Sequence, residues 1–213
     1  ILDIGCGYLN GLIWNNPHLE IDGLDNDISV NKRFNELSKK KNKNVFIQNF
    51  TEKWNFQNDY IKRKFNVGIC NKLYDIILMN FSIHYSFNKK NGFDNLMTEI
   101  NKRSISGKTK LMISFIDLDI LFRDREQIDF EDGGFFKNTG SILYGDIGNM
   151  TYYYPWRSNK INNEKIIGYL DIKYRLYDYG WYEKRKYTTD YEISTMGYKE
   201  LNKSIKRITF MKK

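Results

Sequence analysis

The ends of two predicted strands carry glycines and an acidic residue at a spacing that suits a ribose-containing ligand. The strand Ile1–Ile4 runs directly into Gly5-Cys6-Gly7, and the next predicted strand is followed by Asp25. Glycine lets the backbone approach a ligand closely at this edge of an open sheet. Asp25 lies 20 residues after Gly5, about the distance at which an acidic side chain accepts hydrogen bonds from ribose hydroxyls. The residues predicted to bind the cofactor here are Asp3, Gly5, Gly7 and Asp25.

The third glycine of dinucleotide-binding loops is absent. Asn10 occupies the sixth position of the pattern G-x-G-x-x-G, which disfavours a cradle for the pyrophosphate of a nicotinamide dinucleotide. S-adenosylmethionine has a ribose and no phosphate, so it needs Asp25 and the glycine bend but no such cradle. An ordinary tight turn explains the two glycines alone, but it does not explain the spacing to Asp25. The pattern therefore favours S-adenosylmethionine over a nicotinamide cofactor.

Asn49 and Phe50 follow the third predicted strand. A resemblance to class I methyltransferases, which usually hold the adenine ring at the end of this strand, implies that the Asn49 amide binds the adenine edge and that Phe50 flanks the ring. A polar strand cap beside a core phenylalanine explains the same two residues equally well. Both interpretations stay open from the sequence.

The most informative stretch runs from Tyr74 to Phe87. Its first half, Tyr74–Asn80, has the Ile/Leu run of a buried parallel strand. Its second half places His84, Tyr85 and further aromatic residues at the carboxyl end of that strand, where ligands of open α/β sheets bind. A helix start with one capping Asn and a packed His explains each residue separately, but not their occurrence together. We therefore predict the substrate site here.

Strands and helices that would position these residues alternate along the chain, as in a parallel sheet covered by helices. The predicted strands are Ile1–Ile4, Glu20–Leu24, Val45–Gln48, Tyr74–Asn80, Lys110–Phe115, Trp181–Thr188 and Ser204–Lys213, and the predicted helices are Asp27–Lys39 and Asp94–Ile105. This is the layout of class I methyltransferases: a Rossmann-like α/β fold with a seven-stranded mixed sheet, an antiparallel C-terminal hairpin and helices on both faces. We predict one domain over residues 1–213, although two small domains would also fit this length.

Composition narrows the class of protein further. The formal net charge is +8, which suits a polyanionic partner but is equally compatible with solubility alone. Cys6 and Cys70 form no CxxC pair and the chain has only 2 histidines, so we predict no metal site and a reducing, intracellular setting. No apolar run approaches the roughly 20 residues of a membrane helix, so no membrane partner is predicted. Ile1 is not Met and lies inside a strand, which predicts that preceding residues of a longer polypeptide are missing.

The block Asn80-Phe81-Ser82-Ile83-His84-Tyr85-Ser86-Phe87 resembles the Gln-Phe-x-x-His-Tyr-x-Phe block of the messenger RNA cap (guanine-N7) methyltransferases. Glu164, a following helix and Tyr179-Gly180-Trp181 keep that family's spacing, and Phe210-Met211-Lys212 resembles its closing strand. Asp25-Asn26-Asp27 and Lys32–Glu36 look like the corresponding segment of poxvirus capping enzymes. The resemblance reaches almost end to end. It implies a capping enzyme located in the host cytoplasm or the virion if it is viral, and in the nucleus if it is cellular.

The resemblance assigns the cap-guanine site to four residues. Phe81, His84 and Tyr85 would contact the guanine, and Glu164 would accept hydrogen bonds from its N1–H and its exocyclic amine. None of them would act as a catalytic acid or base, because their role in this family is to position the substrate. Without the resemblance, Glu164 would be interpreted as an exposed acid at a helix start.

The remaining assignments concern the cofactor and the phosphates. Asn80 would take the place of the family's Gln beside S-adenosylmethionine, and Arg33 with Lys32 would face the triphosphate, although both cations would be equally ordinary on a solvated helix. Two features depart from the family. Its Lys-Gly-Gly-Asp segment is replaced by Tyr8-Leu9-Asn10-Gly11, and its closing-strand Tyr is absent, so that Tyr191 or Tyr198 would have to substitute.

Three hypotheses follow for the function. The first is an S-adenosylmethionine-dependent cap methyltransferase whose partner is RNA with a GpppN end, together with other capping domains of the same polypeptide or a stimulatory subunit. The second is another class I methyltransferase that acts on internal RNA or on a small amine. The third is an inactive methyltransferase-like module that binds RNA or stimulates a partner.

Overall fold

The computed structural model describes residues 1–7, 9, 12–30, 32, 34, 42–54, 72–123, 126–130, 133–140, 147–153, 160–188 and 204–213. The strands, in chain order, are β1 Leu2–Ile4, β2 Ile21–Asp25, β3 Lys43–Ile47, β4 Ile76–Asn80, β5 Lys110–Ile116, β6 Gln127–Asp129, β7 Phe135–Asn138, β8 Gly148–Tyr153, β9 Asn162–Ile166, β10 Trp181–Thr188 and β11 Ile205–Lys212. The α-helices with assigned bounds are Leu12–Asn15, Gly92–Lys102, Leu118–Leu121 and Tyr169–Asp178, and Ile83–Asn88 forms a 3-10 helix.

Seven strands form the main sheet in the order β10-β11-β5-β4-β1-β2-β3. The five strands β1 to β5 pair in parallel, and β11 is antiparallel to both β5 and β10. The predicted mixed sheet and its C-terminal hairpin are therefore confirmed, with every predicted strand within two residues of its observed bounds. The strand order reverses direction between β1 and β4, and such a switch opens a crevice at the carboxyl ends of the strands.

Apolar side chains of β2 and β3 lie on both faces of the sheet. Ile21 and Val45 pack in one buried cluster with Trp14, whereas Leu24 and Phe46 belong to the cluster that contains the buried face of the helix Gly92–Lys102. Successive side chains of a strand point to opposite faces, so each of these strands contributes to two layers. Helices thus cover both faces of the sheet, as predicted.

The helix Gly92–Lys102 was predicted at Asp94–Ile105, and its sequence explains its formation. Leu96, Met97 and Ile100 recur at the spacing of one helical face and are fully buried. An acid in the first turn and Lys102 in the last turn both suit the helix dipole. Of the other predicted helix, Asp27–Lys39, most residues lie outside the described part of the chain.

A second sheet, which the sequence did not predict, lies between β5 and the helix Tyr169–Asp178 along the chain. It is antiparallel, with the order β6-β7-β8-β9. The strands β6 and β7 have only 3 and 4 residues, and β9 reads Asn-Asn-Glu-Lys-Ile, so their hydrophobic alternation is too weak to stand out. A separate buried cluster, which includes Phe136, Met150 and Ile166, packs this sheet against residues that follow β5.

Candidate functional site

The bend after β1 has a backbone that requires glycine. Gly5 and Gly7 have φ angles of 70° and 49°, in the left-handed region that glycine enters at no steric cost. A Cβ atom on Gly5 would stand 2.4 Å from Cβ of Ser82, which is too close for any side chain. The hydroxyl of Ser82 donates to the carbonyl of Ile4 at 2.8 Å. The bend therefore packs directly against the end of β4, and its two glycines lie at the carboxyl edge of the sheet where the sequence placed them.

Asp25 holds the glycine bend to the end of β2. Its Oδ2 accepts a hydrogen bond from the backbone N–H of Gly7 at 2.7 Å, and its Oδ1 accepts one from the N–H of Asp27 at 3.0 Å. The carboxylate is buried, yet each of its oxygens can accept a second hydrogen bond. Asp25 can therefore still accept from two ribose hydroxyls, and it also has a structural role that the sequence did not reveal.

Asp3 lies in β1, and its carboxylate contacts the helix Leu12–Asn15. Its Oδ2 accepts a hydrogen bond from the indole Nε1–H of Trp14 at 2.7 Å, and both side chains are buried. Burial raises the pKa of Asp3 to about 6, although the Trp14 hydrogen bond acts in the opposite direction. The carboxylate of Asp3 thus holds the indole of Trp14 in the helix Leu12–Asn15, and its role in binding the cofactor stays a prediction.

The raised pKa of Asp3 predicts a dependence of stability on pH. An acid with a higher pKa in the folded chain favours folding while it is protonated, and that contribution is lost as the pH rises from about 4 to above about 6. Asn at this position does not titrate. The free energy of unfolding of Asp3→Asn relative to the wild type should therefore rise by about 2 kcal/mol between about pH 4 and about pH 7. Urea unfolding at the two pH values measures this, and a difference that does not change with pH contradicts it.

A cleft of about 240 Å³ lies beside the ends of β2 and β3. Asn49 caps the turn that follows β3: its Oδ1 accepts from the backbone N–H and the hydroxyl of Thr51 at 3.0 and 2.7 Å, and its Nδ2 donates to Glu52 at 3.1 Å. Phe50 is buried in the core and also lines the cleft. The polar strand cap beside a core phenylalanine is therefore present, and it sits at the position where an adenine ring was predicted. The cleft is lined by Asn26, Asn49, Phe50, Thr51, Tyr85, Asn88 and Lys89.

A larger cavity of about 500 Å³ lies between the main sheet and the second sheet. One wall comes from the end of β4 and the 3-10 helix, and the opposite wall comes from β7, β8 and β9. Tyr85 lines both this cavity and the smaller cleft, so the two spaces meet at its side chain. The polar and aromatic residues that line the cavity include Asn80, Phe81, His84, Tyr85, Tyr152 and Glu164.

Among the described residues that line this cavity, only Glu164 has a carboxylate, and three side chains surround it. Its Oε1 accepts hydrogen bonds from the hydroxyl of Tyr152 at 2.6 Å and from that of Tyr85 at 3.3 Å. Nε2 of His84 stands 3.4 Å from Oε2. Glu164 lies in β9 with its side chain 24% exposed, so its interpretation as a helix-start acid is wrong. His84 and Tyr85 thus meet Glu164 at this cavity, although about 80 sequence positions separate them.

His84 has a buried ring nitrogen directed towards this carboxylate. The contact at 3.4 Å lacks the geometry of a hydrogen bond, and Nε2 has no hydrogen-bond partner among the described residues. Burial lowers the pKa of His84, although the Glu164 carboxylate acts in the opposite direction. His84 is therefore neutral near pH 7. In the tautomer that carries a proton on Nε2, it offers a donor beside the Glu164 acceptor.

Phe81 stands in a strained backbone conformation between β4 and the 3-10 helix. Its φ angle is 51°, which a bulky side chain rarely adopts and which concentrates at functional sites. The backbone N–H of Phe81 donates to the carbonyl of Ser114 at 2.9 Å, and this hydrogen bond helps to hold the conformation. The ring is 41% exposed. Next to it, Oδ1 of Asn80 accepts from the hydroxyl of Ser114 at 3.1 Å, and Asn80 lines the larger cavity rather than the cleft.

Several predicted residues are not brought to these cavities. Lys32 is exposed and lines neither space. Arg33 lies outside the described residues. So do Tyr8, Asn10 and Gly11, which stand where the cap enzymes have Lys-Gly-Gly-Asp, and Tyr191 and Tyr198, which were candidates for the closing-strand Tyr. The sequence did not identify Tyr152 as a site residue. The aromatic residues near it do not reveal the strand register that brings Tyr152 close to Glu164.

Within the described ranges, no group of three or more His, Cys, Asp or Glu side chains is arranged to hold a metal ion. Likewise, none of the described helices has the length and apolar character that crossing a membrane requires.

Solved structures match almost the whole chain. An S-adenosylmethionine-dependent methyltransferase from Clostridium acetobutylicum matches with a TM-score of 0.61 and 11% identity, over 99% of this chain and 82% of its own. The CcbJ methyltransferase from Streptomyces caelestis matches with a TM-score of 0.65 and 8% identity, over 99% of this chain and 82% of its own. The glycopeptide N-methyltransferase MtfA, complexed with S-adenosyl-L-methionine, matches with a TM-score of 0.62 and 9% identity, over 100% of this chain and 86% of its own.

These likenesses establish the fold. The chain has the class I methyltransferase fold that the strand pattern predicted. No family model matches the chain, and no curated protein matches it. None of the three structures is described as acting on an RNA cap, so the narrower likeness to cap methyltransferases stays a prediction.

Proposed function

We propose that this chain transfers a methyl group from S-adenosylmethionine to N7 of the guanine at a GpppN-RNA end. The observation that carries the proposal is the Glu164 carboxylate, which faces a ligand-sized cavity next to a neutral His84 and the exposed ring of Phe81. A carboxylate that lines a cavity selects for a ligand edge made of N–H donors. Guanine presents two such donors side by side, at N1 and at its exocyclic amine.

The cofactor would occupy the crevice at the carboxyl ends of β1, β2 and β3. Its sulfonium supplies an electrophilic methyl group when it is bound. Asp25 would accept from the ribose hydroxyls, the backbone of Gly5 and Gly7 would allow close approach, and Phe50 would lie against the adenine. This assignment is supported by the free acceptor capacity of Asp25, by the open space beside Gly7, and by the same fold in MtfA, which was solved with S-adenosyl-L-methionine.

The guanine would be bound by an acceptor–acceptor–donor edge of the protein. Both Glu164 oxygens can accept, one from N1–H and one from the amine, and Nε2–H of His84 would donate to the ring carbonyl O6. The weakest existing contact of the carboxylate, the one from Tyr85 at 3.3 Å, is the one that a ligand would displace most easily. Phe81 and Tyr85 would then pack against the faces of the ring.

The chemistry of this reaction explains why no acid–base pair is needed. Guanine N7 has an in-plane lone pair and no proton, so its methylation requires no general base. Positioning of the two reactants can contribute up to about 7–11 kcal/mol to such a reaction. As methyl transfer proceeds, positive charge develops on the guanine ring, and the negative charge of Glu164 at its edge would stabilise that charge.

A second candidate is a methyltransferase that acts on a small or apolar acceptor. The deeper half of the larger cavity is apolar, with Phe115, Ile116, Phe136 and Met150 among its lining residues. MtfA, which shares the fold, is named as acting on a glycopeptide. A carboxylate at the rim would then bind a substrate ammonium group instead of guanine. An inactive module that only binds RNA is the third candidate, and it would not bind the cofactor productively.

The proposed partner is the triphosphate-linked end of an RNA, with Lys32 and Arg33 facing its phosphates and the net charge of +8 favouring its approach. Other capping activities would act beside this chain, in the same polypeptide or as a separate subunit, in a reducing intracellular compartment.

Transfer of a labelled methyl group to matched RNA ends tests the proposal. RNA that begins with GpppA should accept label from S-adenosylmethionine, whereas the same RNA with an uncapped triphosphate should accept none, because only the first presents a terminal guanine in the correct orientation. Small primary and secondary amines serve as the comparison set. Label on an amine but not on GpppA-RNA would establish the second candidate, and cofactor binding without any transfer would favour the third.

A further inference from the structure

Tyr152 lies on the same face of the second sheet as Glu164. Met150 of β8 pairs with Glu164 of β9 in the antiparallel register. Tyr152 is two residues further along β8, so it points to the same face and lies diagonally opposite Glu164, within reach of a long side chain. On the other side, Tyr152 pairs directly with Phe136 of β7. Phe136, Tyr152 and Glu164 therefore form a row across three strands, and all three line the larger cavity.

The contact from Tyr152 is the shortest that the carboxylate makes with its three neighbours. The hydroxyl of Tyr152 stands 2.6 Å from Oε1, compared with 3.3 Å for the hydroxyl of Tyr85 and 3.4 Å for the ring nitrogen of His84. A hydrogen bond of this length to a charged acceptor is about twice as strong as a neutral one. Tyr152 is also half-buried, whereas Tyr85 is 41% exposed.

Phe136 fixes the position of the Tyr152 hydroxyl. The two rings are 6.0 Å apart between centroids with planes at 52°, and Phe136 is only 1% exposed. Tyr has two side-chain torsions, so a ring packed in this way leaves its hydroxyl little freedom. The terminal torsion of Glu is broad and has no sharp rotamer. Without Tyr152, the longer contact from Tyr85 at 3.3 Å would remain on Oε1, and the plane of the Glu164 carboxylate would be held less tightly.

We propose that Tyr152 is the positioning residue of the acceptor site: it fixes Oε1 of Glu164 and thereby directs the carboxylate plane towards the ligand. This inference rests on the proposed function, because Glu164 must bind the guanine edge for its orientation to matter. Tyr152 acts through Glu164 and touches no reacting atom. Its loss should weaken substrate binding without changing the cofactor site.

Tyr152→Phe tests the inference, since it removes the hydroxyl and keeps the ring that packs against Phe136. The KM for GpppA-RNA should rise about tenfold, while kcat changes by less than about twofold. The affinity for S-adenosylmethionine and the melting temperature should stay at their wild-type values. Tyr153→Phe is the matched control, because Tyr153 points to the opposite face, contacts Phe135 and does not line the cavity.

A double-mutant cycle with Glu164→Gln separates positioning from a merely structural role. If Tyr152 acts through the carboxylate, its substitution should change KM by less than about twofold in the Glu164→Gln background. An equal loss in both backgrounds, or a wild-type KM for Tyr152→Phe while Glu164→Gln is impaired, overturns the positioning role alone. Wild-type turnover by Glu164→Gln overturns the proposed guanine site itself, and the positioning role with it.

Discussion

Glu164→Gln should lower kcat/KM for methylation of GpppA-RNA by about 100-fold or more. The amide keeps the size of the side chain and one acceptor oxygen, but it loses the charge that strengthens both contacts to the guanine edge. One hydrogen bond to a charged group contributes about 1.5–3 kcal/mol, and the negative charge also stabilises the cation that develops on the ring. Steady-state kinetics with labelled cofactor measures the loss.

Two controls show whether this effect belongs to the guanine site. The cofactor affinity and the melting temperature of Glu164→Gln should hardly change, since Glu164 lies in the second sheet and the glycine bend follows β1 of the main sheet. Glu126→Gln removes the charge of an exposed acid next to β6 in the same sheet and should keep full activity. Wild-type turnover by Glu164→Gln on GpppA-RNA would exclude our assignment of the guanine pocket, even with an intact cofactor site.

Asp25→Ala should weaken the binding of S-adenosylmethionine by at least about tenfold, because two hydrogen bonds to a charged acceptor are lost. The structure adds a second expectation. The carboxylate also holds the N–H groups of Gly7 and Asp27, and these donors would lose their protein partner. The melting temperature should therefore fall as well, by several degrees. Calorimetric titration with the cofactor and thermal unfolding measure the two effects.

Asp75→Ala is the matched control for this variant. Asp75 is an exposed acid that precedes β4, at the opposite edge of the parallel strands from Asp25, so its loss should leave cofactor affinity unchanged. An unchanged affinity in Asp25→Ala would mean that the acidic end of β2 has no role in binding the ribose. A lower melting temperature with unchanged affinity would reduce Asp25 to its structural role.

The sequence predicted those parts of the fold whose signals are local. Buried strands such as β4 show as short Ile/Leu runs, and the bend at Gly5 shows because only glycine tolerates both its φ angle and the contact with Ser82. The second sheet gave no comparable signal. Its strands are short and polar, and the register of each antiparallel pair is set by contacts between the strands, which no periodicity reveals.

The same distinction applies to the candidate site. Residues that lie within one block, such as His84 and Tyr85, could be proposed together from the sequence. The directions of individual side chains could not. Asp3 bonds Trp14 and Asn49 caps its own turn, because short polar side chains bind whichever backbone or neighbouring donor is nearest once the chain has folded. Tyr152 became visible only through the register of β8 against β9.

Identification of the methylated atom tests the central claim most directly. The wild-type chain is incubated with labelled S-adenosylmethionine and GpppA-RNA, the RNA is digested, and the labelled nucleoside is compared with methylated guanosine and adenosine standards. The account predicts that the label is in 7-methylguanosine from the cap. Label in any other nucleoside, or bound cofactor with no transfer to the capped end, would contradict it.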